Sequence, residues 1–347
     1  MKKITVMHVL CMSTYSGAEN VAITLINSLK DEVYSVYVSP AGPICDVVKK
    51  NNIEHYSIEK VSISNINKAI TDIEPDIIHA HDFTAGLVCA HVAKKIPVIN
   101  HLHNNPPWIK KWGLKSLLYY NASKKFNSII TVSQSVMDEY IFGKKLRQKT
   151  KVIGNPIDLQ AILTKAENSA VNEESDIIFL GRLMTQKNPL FFIEIVVQIV
   201  KLRPDIKVAI VGDGDLRMPV EKKIEQYNLR KNIKLYGFQE NPYGILKNSK
   251  VLCIPSIWEG FGLVAVEALT FGKPVVAANV GGLPTIVNSQ CGVLCEGKNE
   301  YVDGINTLIS DRTVYEKKSK MAMNRAKEIE NIKWYRDSIM RIYKSAL

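Results

Sequence analysis

The sequence predicts an α/β protein built from two parallel-sheet domains, and three observations lead there. Short β-branched strands alternate with amphipathic helices, the pattern that lays helices on a parallel sheet. The alternation breaks at Gly154-Asn155-Pro156, passes through a polar stretch to Ser175, and restarts. The length, 347 residues, suits two domains of ordinary size. These breaks put a first domain at residues 1–155 and a second at 156–333.

In the first half, Lys3 to Leu10 is a β-branched strand, Met12 to Glu19 a polar turn holding Gly17, and Ala18 to Leu29 a helix. The unit looks like a dinucleotide-binding opening but lacks GxGxxG. Further strands are expected at Tyr34–Ser39, Ile77–Ala80, Val98–His101 and Ser128–Val132. Helices are expected at Ile44–Asn51, Ile63–Ile73, Thr84–Lys94 and Ser133–Phe142. Ligands of such sheets bind at the carboxyl ends of strands. Two histidine pairs fall there, His79-Ala80-His81 and His101-Leu102-His103. Alternate strand residues share a face, so HxH invites a metal, yet no third ligand is evident. His79 and His101 read better as hydrogen-bonded core residues.

The net charge of +11 is uneven: Trp108 to Lys151 carries ten Lys or Arg against Asp138 and Glu139, which is +8. Within it, Trp108 to Phe126 mixes Trp108, Trp112, Leu114, Leu117, Leu118 and Tyr119 with five lysines. One reading is a helix packed on the sheet with a solvated lysine face. The other is a helix lying on an anionic bilayer. Nucleic acid ranks lower, since no RNA-binding module signature accompanies the charge. The apolar run at the start is short and interrupted by Thr5 and His8, with no cleavage site, and reads as a strand rather than a signal peptide. Six scattered cysteines lack zinc-site spacing and read as reduced, which suits the cytoplasm. No run of about 18 apolar residues occurs.

In the second half, strand Ile177–Leu180 runs into Gly181-Arg182-Leu183 and then Lys187-Asn188-Pro189, which opens a helix. Arg182 and Lys187 stand on the two sides of that turn, where cations offset phosphate charge. Strand Val208–Gly214 ends in Gly212-Asp213-Gly214-Asp215, which imitates a metal-binding DxD but fits a tight strand-to-helix turn better. Lys234 to Phe238 is another strand. Strand Val251–Ile254 leads into PSIWEGFGLVAVEALTFGKP, Pro255 to Pro274, with a helix expected from about Phe261. Strand, glycine turn and helix start make an anion site, where amides of Phe261, Gly262 and Leu263 face a ligand. Glu259 sits at its mouth, and Glu267 lies two turns down, about 12 Å along the axis. That is too far for a proton-sharing carboxylate pair; glycosidase carboxyls stand about 5 to 9.5 Å apart. One reading is a capping Glu259 and a solvated Glu267; the other is two carboxylates binding hydroxyls on either side of a diphosphate, which describes a nucleotide sugar. Val275–Ala278 is a strand, and Lys298 to Ala346 is largely helical.

Three stretches in order, Gly181–Asn188, Gly212–Gly214 and Glu259–Glu267, resemble the signatures of family 4 retaining glycosyltransferases, enzymes of the GT-B fold. The resemblance implies two Rossmann-like parallel-sheet domains facing a central cleft, with the last helix, about 334–347, packed back on the first. It implies a nucleotide-sugar donor, a UDP-sugar first, with no cofactor and no metal. Arg182 and Lys187 would neutralise the diphosphate, Glu259 would bind sugar hydroxyls and Glu267 the ribose. Gly181 belongs to the phosphate motif, Gly237 and Phe238 to the loop near the nucleobase, and Gly17 to the loop facing donor phosphate and acceptor. His103 would face the transferred sugar, with His81 a second candidate. The acceptor would be a glycan or a polyprenyl-linked glycan in bacterial surface polysaccharide synthesis, and the enzyme cytoplasmic or peripheral on the inner membrane face. A nucleotide-sugar 2-epimerase-like isomerase of the same fold, or a non-catalytic adaptor, are the competing readings.

Overall fold

The structure, a computed structural model, describes residues 3–169 and 173–347. The chain divides into two compact units, residues 1–156 with 331–347, and residues 157–330.

Unit 1 holds a seven-stranded parallel sheet. Its strands are β1 (Ile4–Val9), β2 (Val33–Pro40), β3 (Glu54–Ile58), β4 (Ile77–His81), β5 (Val98–Leu102), β6 (Ser128–Thr131) and β7 (Thr150–Val152), in the order β3-β2-β1-β4-β5-β6-β7. The order reverses between β1 and β4, where the crossovers leave for opposite directions. The central strands are buried on both faces, so they read as continuous apolar runs. Edge strands β3 and β7 were not expected; their exposed or half-buried residues, such as Glu54, His55 and Lys151, hide the pattern. The C-terminal helix Ile332–Ala346 belongs to this unit and buries Tyr335, Ile339, Ile342 and Tyr343.

Unit 2 holds six parallel strands: β8 (Ser175–Leu180), β9 (Val208–Val211), β10 (Ile233–Gly237), β11 (Ser249–Ile254), β12 (Val275–Ala278) and β13 (Gly292–Cys295). Their order is β10-β9-β8-β11-β12-β13, so this sheet reverses between β8 and β11. Its core is aliphatic, with Ile177, Ile178, Ile193, Val196, Val251, Leu252, Ala265 and Leu269 among its buried residues. The expected polar stretch after Pro156 carries a helix, Leu159–Glu167, because Asp158 caps it by accepting from the Ala161 amide at 2.9 Å. Residues 170–172 of that stretch lie outside the described residues.

The core of unit 1 carries an unusual load. Five of the chain's seven histidines pack on one face of β1, β4 and β5: His8, His79, His81, His101 and His103. Register explains the grouping, since His8 pairs with His79 and His81 with His101 across adjacent strands. Neighbouring rings lie 4.1 to 5.7 Å apart between centroids. Tyr343 of the C-terminal helix closes the face, its hydroxyl 2.6 Å from His79 Nδ1. His79 also meets His101 at 3.3 Å, so these two are hydrogen-bonded core residues. Burial lowers the pKa of all five, to about 3 for His8 and His103, and the mutual repulsion of like charges lowers His79, His81 and His101 further.

This load sets a pH dependence. Below the ordinary imidazole value near 6.5, the unfolded chain takes up protons that folded unit 1 does not. The stabilisation is therefore complete above that value and is lost as pH falls toward 3. Each histidine contributes a slope of up to about 1.4 kcal/mol per pH unit. The melting transition of unit 1 is expected to drop steeply between pH 7 and 5. A melting temperature flat over that interval, followed by circular dichroism, would contradict buried, neutral rings.

Candidate functional site

Unit 2 builds its site where its strand order reverses. From the carboxyl end of β8 the chain passes Gly181 and Arg182, makes a 3-10 turn at Thr185–Lys187, and enters the helix Pro189–Leu202. From β11 it runs through Pro255–Gly262 into the helix Leu263–Thr270. Gln186 ties these two loops together. Its carbonyl accepts from the Ile257 amide at 2.8 Å, and its side-chain amide donates to Trp258 O at 3.1 Å. The next residue, Lys187, forms an ion pair with Glu259, whose carboxylate also lies 3.4 Å from Ser256 Oγ. Glu259 is 8% exposed. A third loop supports it from behind: the Gly282 amide donates to Glu259 O at 3.0 Å. Gly281, at φ 57°, allows this, because a Cβ there would fall 1.7 Å from that oxygen.

The helix opens at Leu263, two residues later than expected, because Gly262 takes a left-handed conformation (φ 101°) at its N-cap. A helix start leaves its first-turn amides without the regular intrahelical acceptor, though the Ala265 amide here donates to Gly262 O at 2.9 Å, and the positive dipole end lies with them. Glu267, one turn into the helix, accepts from Tyr243 Oη at 3.1 Å. Burial raises its pKa; Tyr243, Lys165 and Lys187 pull it back only in part. Arg182 is exposed, and Gly181 adjoins Lys187, whose stem a Cβ at that glycine would touch at 3.6 Å. Gly237 ends β10, and Phe238 beside it is 60% exposed. The Gly237 carbonyl accepts from the Gly212 amide at 2.8 Å, which joins this loop to the one after β9. Asp213 there is occupied: it pairs with Arg217 and accepts from the Gly214 amide, both at 2.8 Å. The DxD imitation is a turn.

In unit 1, Gly17 opens the helix Gly17–Leu29 with open space at its α-carbon. Ser16 donates to Glu19, which is buried. His103 follows β5 and is half-buried. Its Nε2 lies 2.8 Å from His81 Nδ1, and its amide donates to Asp82 Oδ1 at 3.0 Å. Asp82 holds a left-handed backbone (φ 66°), a conformation that aspartate adopts more readily than most residues. Sequence reasoning gave no role to Asp82, Gln186 or Tyr243. Only Asp82 left a trace, as the acid directly after a strand-ending histidine. The expectation that HxH lacks a third imidazole is corrected: His8, His79 and His81 form one group of potential ligands, and His81, His101 and His103 another, each within 4.8 Å. His8 was missed because register, not spacing, brings β1 beside β4. The rings also stack and hydrogen-bond to one another.

Two family profiles match, "Glycosyltransferase Family 4" over residues 15–161 and "Glycosyl transferases group 1" over residues 162–328. An uncharacterized glycosyltransferase of Methanocaldococcus jannaschii is 28% identical over 62% of this chain, and the match spans 58% of that relative. A UDP-Gal:α-D-GlcNAc-diphosphoundecaprenol α-1,3-galactosyltransferase of Escherichia coli is 27% identical over 98% of this chain and 97% of its own length. The crystal structure of Anabaena HepE with UDP and glucose superposes with a TM-score of 0.86, at 21% identity, over 99% of this chain and all of that one. That likeness identifies the GT-B fold.

The ion pair yields an expectation about stability. Lys187→Ala leaves Glu259 without its cation in a mostly buried place, at a cost near the lower end of about 3–5 kcal/mol, since the lysine side chain keeps 21% exposure. Adding Glu259→Gln removes the stranded charge and should recover most of the loss. If the double variant melts no higher than Lys187→Ala, the pair does not hold these loops.

Proposed function

This chain belongs to the family described as glycosyl transferases group 1 and is a glycosyltransferase; from that premise we propose that it moves a sugar, with retention, from a UDP-sugar to a polyprenyl-diphosphate-linked glycan. One observation carries the donor side: Lys187 and Glu259 meet at the β8–β11 reversal, beside the helix that opens at Leu263. A cation, orphan amides and a carboxylate in one place suit a diphosphate with hydroxyl-bearing groups attached. Lys187, Arg182 and the amides of Phe261, Gly262 and Leu263 take the diphosphate. Glu259 accepts from sugar hydroxyls and Glu267 from the ribose. Phe238 and Gly237 lie toward the base, Gly181 and Gly17 give the phosphate room, and His103 acts on the sugar. The UDP and glucose bound by the Anabaena protein support the donor class, and the Escherichia coli relative's name supports the acceptor class.

The chemistry needs no protein nucleophile. The bond from C1 to the diphosphate oxygen breaks while the acceptor hydroxyl bonds to C1 on the same face. Its proton passes to the departing diphosphate. Lys187, Arg182 and the helix amides stabilise the charge that grows on that leaving group.

A lipid-linked acceptor requires access to a bilayer, and unit 1 carries a fitting surface. The expected single helix from Trp108 to Phe126 is broken at Gly113 into a 3-10 turn, Pro107–Lys110, and a helix, Leu114–Ser123. Ser116, Tyr119 and Ser123 face inward. Leu114, Leu117 and Leu118 face outward, 73%, 44% and 47% exposed, beside Trp112 at 75%. Trp108 instead packs on Phe83, 4.9 Å between ring centroids, and is not part of this stripe. Lys110, Lys111 and Lys115 flank it in the open. An apolar stripe rimmed by lysines suits a helix lying in an anionic interface. No helix among the described residues is long and apolar enough to cross a membrane.

Three measurements test the reading. Incubation with UDP-sugars and a diphosphoundecaprenol-linked acceptor, in EDTA, should give an α-linked product. Epimerised donor without transfer, or transfer only on adding Mn²⁺, would overturn it. In the same reading, Arg182→Ala loses a charge-assisted contact worth about 1.5–3 kcal/mol of UDP affinity. Separately, the protein should sediment with anionic liposomes, less so in high salt or after Lys110, Lys111 and Lys115→Glu, at about 1 kcal/mol per lysine. Equal binding to neutral liposomes counts against the electrostatic part, and none at all leaves the helix as ordinary surface.

A further inference from the structure

His81 has no place among substrate contacts, because it is 1% exposed. It lies instead at the middle of a chain of three imidazoles on three adjacent structural elements. His8 Nδ1 in β1 is 3.3 Å from His81 Nε2 in β4, and His81 Nδ1 is 2.8 Å from His103 Nε2 after β5. A neutral imidazole has one N–H and one acceptor nitrogen. Both links can be satisfied only if the N–H groups point the same way along the chain, all toward His103 or all away from it. The direction decides the tautomer of His103. With Nε2 committed to His81, the other ring nitrogen of His103, Nδ1, has no hydrogen-bond partner among the described residues. The stack fixes the ring planes as well: His81 lies 12° from His103 and 5° from His79.

We propose that His81 is a positioning residue for the transfer reaction. Its Nδ1 holds the His103 ring, and its link to His8 sets which His103 nitrogen carries the proton. This rests on the reading of His103 as a residue of the sugar-transfer step.

Two shape-matched substitutions separate this from a packing role. The polar end of Asn reproduces the Nδ1 position of histidine, and that of Gln reproduces Nε2. His81→Asn therefore keeps a partner for His103, and His81→Gln keeps one only for His8. The expected result is a kcat at least tenfold lower in His81→Gln than in His81→Asn, with UDP affinity within twofold of each other. The imidazole ¹⁵N shifts of His103 should also change tautomer or become averaged in His81→Gln while the protein remains folded. Equal kcat in the two variants, with unchanged His103 shifts, overturns the proposal while leaving the role of His103 standing. His103→Ala is measured in parallel: if it turns over like the wild type, the reading of His103 falls, and the positioning role falls with it.

Discussion

Opposite charges brought together at the reversal of a parallel sheet are the constraint on which unit 2 depends. Lys187 and Glu259 arrive from loops after neighbouring strands, and neither charge is comfortable there alone. The local features around them serve that meeting. Gln186 binds the two loops through main-chain and side-chain bonds, and Gly281 lets a third loop press on the Glu259 carbonyl. Gly262 then turns the chain so that the helix opens beside the pair rather than past it. The cost of partly burying a carboxylate is offset by its ammonium partner. In the proposed function, a diphosphate would compete with Glu259 for that same cation, which would couple binding to loop geometry through one lysine.

Much of this was legible in the sequence, for a physical reason. Strands buried on both faces must be apolar throughout, so β1, β4, β5, β8, β9 and β11 announced themselves. Glycines beside Arg182, Asp213 and Glu259 marked the turns at their ends. Edge strands β3, β7 and β13 did not show, since a strand with one open side need not be apolar. The helix Leu159–Glu167 was hidden because its surface is polar and its cap is a single Asp158. Candidate residues set by motif spacing, Arg182, Lys187 and Glu259, were legible there. Those that act through register or distant contact were not: His8 meets His81 across 73 positions, and Tyr243 meets Glu267 across 24.

The two units meet different demands with different chemistry. Unit 2 keeps its charge at the loop ends over an aliphatic core. Unit 1 places imidazoles within the core itself, on the strands flanking its own reversal point. Satisfying them requires partners from the sheet, the loop after β5 and the C-terminal helix together. An aliphatic core tolerates small shifts, whereas a chain of rings tolerates few, since each nitrogen has one angle of approach.

The chain order of unit 1 has a consequence for biosynthesis. Its last helix, which brings Tyr343 to His79, is separated from the rest of the unit by the 174 residues of unit 2. At about 5–20 residues per second on a ribosome, that delay is roughly ten to thirty seconds. During that time unit 2 emerges whole, while unit 1 waits with its histidine face uncovered. Completion of the first-made half thus waits on the second, and a transcript cut short after Glu330 would release unit 2 intact together with an unfinished unit 1.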